Sequence, residues 1–211
     1  EMDAGDNAIF IAGDVTKQED VEMFIGKTIE QFGKIDILVN NAGGAKGFAP
    51  ISELSDEAWQ GTASWILHSA FWATRAALQD MGPRRWGRII NISSVHGTQA
   101  SKENVPHYIT FKHALNGFTK AVALENGTKG ITSNAISPGG IETDLMTESG
   151  PAAAESAGIT YEEYKESYAQ DSAIKRLNTV EEVAGLSLFL CSDMGAGITG
   201  AILPVDGGTV L

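Results

Sequence analysis

Tyr108 and Lys112 stand four residues apart in the segment PHYITFKHALNGF, residues 106–118. On a helix that spacing puts both side chains on one face, close enough to influence each other. A free phenol titrates at a pH of about 10, too high for an efficient proton shuttle near neutrality. An ammonium alongside favours the phenolate, so Lys112 is expected to lower the pKa of Tyr108. Such a pair could give a proton to a carbonyl oxygen or take one from an alcohol. The same spacing also occurs on ordinary helix surfaces, so the elements around it must decide.

Those elements alternate. NAIFIAGDV (7–15) reads as a strand, and residues 17–33 place Val21, Phe24, Ile25 and Ile29 at helical spacing. KIDILVNNAG (34–43) is an apolar strand ending in a turn. Residues 55–81 form a long helix that Ser55 or Asp56 could cap. GRIINISS (87–94) is a strand, 107–125 the helix carrying the Tyr–Lys pair, and ITSNAISPGG (131–140) a strand ending in a Pro-Gly turn. A helix over 180–192 and a strand over 201–208 close the chain. Strands apolar on both faces and alternating with helices imply a doubly wound parallel α/β sheet, Rossmann-like, over one domain spanning 1–211. Ligands then sit beyond the carboxyl ends of the strands, which here are small, polar and Gly-rich. Segment 144–178, acidic and Ala-rich without a clear strand, is a candidate substrate lid.

Composition narrows the partners. With 15 Lys and Arg against 27 Asp and Glu, the net charge of −12 disfavours nucleic acid. No run approaches the ~18 apolar residues of a membrane span, and a cytoplasmic location is the default expectation. The single cysteine, Cys191, excludes an internal disulfide framework and is expected to pack as a small hydrophobe. No metal-ligand spacing is present, so no metal is expected. GAGITG (195–200) matches G-x-G-x-x-G, but it follows a helix and precedes a strand. A phosphate fingerprint needs the reverse order, so this is read as a turn.

The ordered set NNAG (40–43), ISS (92–94), Tyr108-x-x-x-Lys112, PGGIET (138–143) and VDGG (205–208) resembles the short-chain dehydrogenase/reductase family over residues 7–208. The resemblance implies an NAD- or NADP-dependent oxidoreductase acting on a small-molecule substrate, assembled as a homo-oligomer, a dimer or tetramer. By similarity Ser94, Tyr108 and Lys112 are catalytic: Ser94 holds the substrate oxygen, and Lys112 also reaches the nicotinamide ribose. Ser94 precedes Tyr108 by fourteen residues, one more than is usual in the family, so Ser93 is the fallback. Asp14 and Val15 would hold the adenine edge, and Asn40, Ala42 and Gly43 would line the cofactor cleft. Pro138, Gly139, Ile141 and Thr143 would close over the nicotinamide. Within the family, RRWGRIINISSVHG and KHALNGFTKAVALE are similar to bacterial 3-hydroxybutyrate dehydrogenases, where His96 matches a substrate-side histidine. The glutamine expected after NNAG is replaced by Gly44-Ala45-Lys46, and the final aromatic by Thr209. His68, His107 and His113 are read as surface or packing residues.

Two departures shape the expectations. The family's TGxxxGxG turn does not occur, nor does the strand that follows it; roughly 40–50 residues of the full βαβαβ unit are absent from this sequence. The fold is therefore expected to lack its first two strands, as a fragment or with the gap repaired by neighbours, and to bind NAD(P) weakly. Counting 28 residues back from Ser94 also places Ile66 where the family has an asparagine that kinks its helix and serves a proton relay. Either His68 or Ser64 takes over the relay, or catalysis is impaired. A catalytically impaired member of the same fold, acting through assembly or ligand binding, is thus the second reading. A Ser-His-Asp hydrolase is remote, because no G-x-S-x-G elbow occurs.

Overall fold

The computed structural model describes residues 7–209. Four parallel strands form one sheet in chain order: β1 (Ile37–Asn40), β2 (Gly87–Ile92), β3 (Ile131–Pro138) and β4 (Ile202–Val205). Helices cover both faces, as the doubly wound reading requires. On one face α1 (Gln18–Phe32), α3 (Ser69–Arg84) and α4 (Pro106–Asn126) bury Val21, Ile25, Ala77, Met81 and Val122 against Leu38, Ile89 and Ile131. On the other, α7 (Val180–Cys191) packs Leu190 over Ile90 and Ile136. This alternation along β2, with Ile89 down and Ile90 up, is the period-2 signature of a strand buried on both sides.

The strand expected over 7–15 does not form. No strand lies beside this segment among the described residues, and a parallel ladder needs a partner for its N–H and C=O groups. Phe10 is accordingly 93% exposed. The segment instead serves α1. Asp14 accepts from Thr16, and its own N–H reaches Asp20 at 2.9 Å. The face of β1 away from α1 and α3 is bare as well: Ile37 and Val39 are exposed while Leu38 between them is buried.

The long helix expected over 55–81 is broken in the middle. Ser55 caps α2 (Asp56–Ala63) by accepting from the Ala58 N–H, and a single π-helical turn, Ser64–His68, joins it to α3. Such a turn inserts one extra residue and re-aims the side chains it carries. It packs Ala63, Ile66 and Ala70 against Phe111 and Leu115 of α4. The candidate lid folds as α5 (Asp144–Ala157) and α6 (Tyr161–Asp171), the latter started by a reciprocal Thr160–Glu163 capping box. GAGITG is the turn leading into β4, with Gly200 at φ 72°. No helix among the described residues is long and apolar enough to cross a membrane, and none of them cluster as metal ligands.

Candidate active site

The site is built where β2 ends and α4 begins. Pro106 at the first turn of α4 suits a position whose N–H would have no partner. One turn later Tyr108 and Lys112 share the inner face. Lys112 is 4% exposed; its Nζ donates to the Ile92 carbonyl at 2.7 Å and lies 5.6 Å from the centre of the Tyr108 ring. Ser94 follows the end of β2; its hydroxyl accepts from the His96 N–H at 3.2 Å and is near enough to Tyr108 to oppose the rise in the phenol's pKa. Ser93 points elsewhere, its buried hydroxyl under Gly97 and Asn116. Of the two serines, Ser94 is the one that acts on the Tyr108 phenol. His96 stands edge-on to Tyr108, with ring centres 6.0 Å apart.

The electrostatics differ from the expectation for the Tyr–Lys pair. Burial raises the Tyr108 pKa, and only the Ser94 hydrogen bond works against it. Burial also lowers Lys112 to about 8. Desolvation disfavours each charged form, phenolate and ammonium alike, and wins because the ammonium is directed at a backbone carbonyl rather than at the phenol. Burial likewise lowers the pKa of His96, with the Lys102 charge adding to it.

Beside this centre lies Gly43, where a Cβ would come 3.5 Å from Lys112 Nζ and 3.7 Å from Ile66. Ile66, 2% exposed, thus occupies the π-turn position next to the lysine. Ser64 and His68 lie within 3.4 Å of each other on this turn, and His68 leans on Trp72. Asn40, at the end of β1, is half-buried. It donates to Asn91 at 2.8 Å, and Asn91 donates to Thr119, which ties β1 and β2 to α4. Gly139 is forced by close approach, since a Cβ there would meet the Asp206 backbone at 2.9 Å. Ile141 bridges Asn178, and Thr143 caps α5. Asp14 and Val15 line a cleft of about 700 Å³ together with Thr16, Lys46, Thr62 and Trp65. His107, wholly buried, bonds the Lys46 carbonyl at 3.1 Å, and His113 bonds Ile109 within its helix. Cys191 ends α7 among apolar side chains, and burial raises its thiol pKa. Lys102, whose charge acts on His96, bonds Tyr168 of α6, a placement that no spacing in the sequence signals because loop and helix meet across 66 residues.

Comparison with known proteins agrees with this architecture. The family model described as enoyl-(acyl carrier protein) reductase matches residues 1–210. A D-beta-hydroxybutyrate dehydrogenase of Cupriavidus necator is 38% identical over 198 residues, covering 93% of this chain and 76% of the relative. Its namesake in Rhizobium meliloti is 39% identical over 196 residues, 92% of this chain and 75% of that one. Among solved structures, a sorbitol-6-phosphate 2-dehydrogenase from Erwinia amylovora superposes with TM-score 0.90 at 31% identity, over 98% of this chain and 80% of its own. ElxO with NADP bound gives 0.85 at 30%, over 96% and 78%. The chain belongs to the short-chain dehydrogenase/reductase family of oxidoreductases.

Proposed function

We propose that this chain interconverts a small hydroxy compound and its ketone using NAD or NADP, with Tyr108 as the acid/base. The observation that carries the reading is the convergence of Ser94, Tyr108, Lys112 and His96 at the carboxyl end of β2. The site residues fit a nicotinamide cofactor. Of the three donor hydrogens on the Lys112 ammonium, one is used on Ile92, and the others lie beside the open backbone of Gly43, suited to ribose hydroxyls. Asp14 and Val15 line the cleft in which the adenosine half would lie.

When bound, the cofactor supplies or accepts the hydride. The protein's part is the proton. Tyr108, its pKa raised by burial, holds its proton at neutral pH and can give it to a ketone oxygen as that oxygen gains electron density. Ser94 donates a hydrogen bond to the same oxygen and stabilises the developing charge. His96 borders the substrate side. In the oxidative direction Tyr108 must first lose its proton, so alcohol oxidation needs alkaline pH.

A second reading is a ligand-binding member without turnover, and Ile66 beside Lys112 favours it: an isoleucine carries no proton to or from that lysine. One experiment separates the two. NADH or NADPH oxidation is followed with small 3-oxo esters and acids, in the parent and in Tyr108→Phe. The expected result is turnover that falls about 10²-fold or more in the variant. Unchanged turnover in Tyr108→Phe refutes the mechanism, and cofactor binding without turnover in the parent establishes the second reading.

A further inference from the structure

We propose that His107 is a positioning residue for the cofactor: its Nε2–H fixes segment 43–49 on the wall of the cleft in which the adenosine half of NAD or NADP would lie. This rests on the nicotinamide reading above and adds a residue outside the Ser94, Tyr108 and Lys112 set. The segment has little to hold itself with. Glycine occupies three of its seven positions, 43, 44 and 47, and it forms neither helix nor strand. Yet it joins two places that must keep their distance. At one end Gly43 lies beside Lys112. Further on, Lys46 and Gly47 line the cleft with Trp65, and the Lys46 ammonium stands 5.8 Å from the centre of that ring.

His107 supplies the hold. It sits in the first turn of α4, one residue before Tyr108, and is wholly buried. Its Nε2 lies 3.1 Å from the Lys46 carbonyl, and a carbonyl only accepts, so Nε2 carries the proton. Nδ1 is buried too and has no hydrogen-bond partner among the described residues. An apolar ring would fill this place without stranding a nitrogen, so packing alone does not account for an imidazole here. Two further contacts bring the same segment to the start of α4. The Phe48 ring stands 6.1 Å from the His107 ring, and the Ala49 N–H donates to the Asn104 carbonyl at 3.1 Å. Against α2 the fit is as close: a Cβ on Gly47 would come 2.9 Å from that of Ala58.

The helix that carries the phenol therefore also sets, through one side-chain hydrogen bond, where Lys46 and Gly47 stand on the cleft wall. Without that bond the glycine-rich segment samples more backbone conformations, and a ligand entering the cleft must restrict them again. The cost falls on binding, because ordering a loop is subtracted from the contacts a ligand makes. One neutral hydrogen bond corresponds to about fivefold in affinity.

The test separates the two ring nitrogens. A glutamine amide reaches the position of Nε2, and an asparagine amide stops at that of Nδ1. NADH and NADPH are titrated calorimetrically into the parent, His107→Gln and His107→Asn, and exchange of the Ala49 amide is followed by NMR in the same three proteins. His107→Asn should bind cofactor about fivefold more weakly and exchange Ala49 faster, and His107→Gln should restore both towards the parent. Both variants bury an amide at one place, so a general loss of packing falls on the two alike and does not imitate this split. In turnover of 3-oxo esters the loss should appear in the KM for the cofactor rather than in kcat. The proposal is overturned if His107→Asn binds as the parent does, if the two variants weaken alike, if Ala49 exchange is the same in all three, or if the parent binds neither cofactor. Binding that depends on His107 in this way, in a parent without turnover, would instead strike the proposed reaction and leave this role standing.

Discussion

Lys112→Met is expected to make the protein more stable and inactive. The lysine is held charged in a nearly dry site, and its pKa falls from 10.5 to about 8 through burial. At about 1.4 kcal/mol per pH unit, that gap puts about 3 kcal/mol of strain on the native state wherever the side chain is protonated. Methionine fills similar volume without a charge. It forfeits the bond to the Ile92 carbonyl, worth about 1 kcal/mol, so the net gain at pH 7 is about 2 kcal/mol. The sign follows from proton counts. Below pH 8 both the native and the unfolded parent carry the proton, and the native parent bears the whole penalty. Between pH 8 and 10.5 the unfolded chain binds more protons, so parent stability rises with pH, and above 10.5 the penalty is gone. Urea unfolding of parent and variant at pH 7, 8.5 and 10 measures the difference directly, because every other group titrates alike in the two proteins. A variant less stable than the parent at pH 7, or a stability difference that does not shrink with pH, would refute the argument.

Other outcomes follow from the same geometry. Gly139→Ala should destabilise by about 1–3 kcal/mol, since its Cβ would drive into the Asp206 backbone; a melt within half a degree of the parent would contradict this. Ile66→Asn removes a buried side chain from the π-turn core and should cost about 2 kcal/mol, while its amide, beside Lys112, raises the lysine pKa; denaturant melts and the pH dependence of turnover read the two effects. Glu182 is held near pKa 2 by Arg176, the Thr179 N–H and Asn178. Its folded-state pKa lies below the unfolded value of 4.5, so its contribution is complete above pH 4.5 and is lost as pH falls through about 2. Glu182→Gln should therefore flatten acid unfolding in that window, and a profile identical to the parent's would exclude the role.

The parallel sheet and the helix bearing Tyr108 were legible because strands apolar on both faces and helices of period 3.6 differ in pattern. Boundaries at 131, 180 and 106–126 agree within two residues for the same reason. NAIFIAGDV misled because its composition is that of a strand, while strand formation is settled by a neighbour that sequence pattern alone does not display. The π-turn at 64–68 left no mark beyond the unusual Ile66, since one inserted residue hardly disturbs helical periodicity. Side-chain placement was the least legible layer. Spacing does not encode that Ser94 is the serine acting on Tyr108, and the pKa of Tyr108 went up rather than down because desolvation depends on depth. Nor does spacing show that the Asn40 amide donates to Asn91 across the sheet.

The open side of β1 has a colloidal consequence. Among the described residues the outer N–H and C=O groups of β1 have no neighbouring strand, and with the half-exposed Ile37 and Val39 on the adjoining sheet face they offer a rim on which strands of other molecules can add. What keeps molecules apart is long-range repulsion between bodies of charge −12, and that repulsion is only as long as the screening length, about 30 Å at 0.01 M salt and 8 Å at 0.15 M. Solutions of this protein should therefore stay clear at low ionic strength and turn cloudy as ordinary salt is added.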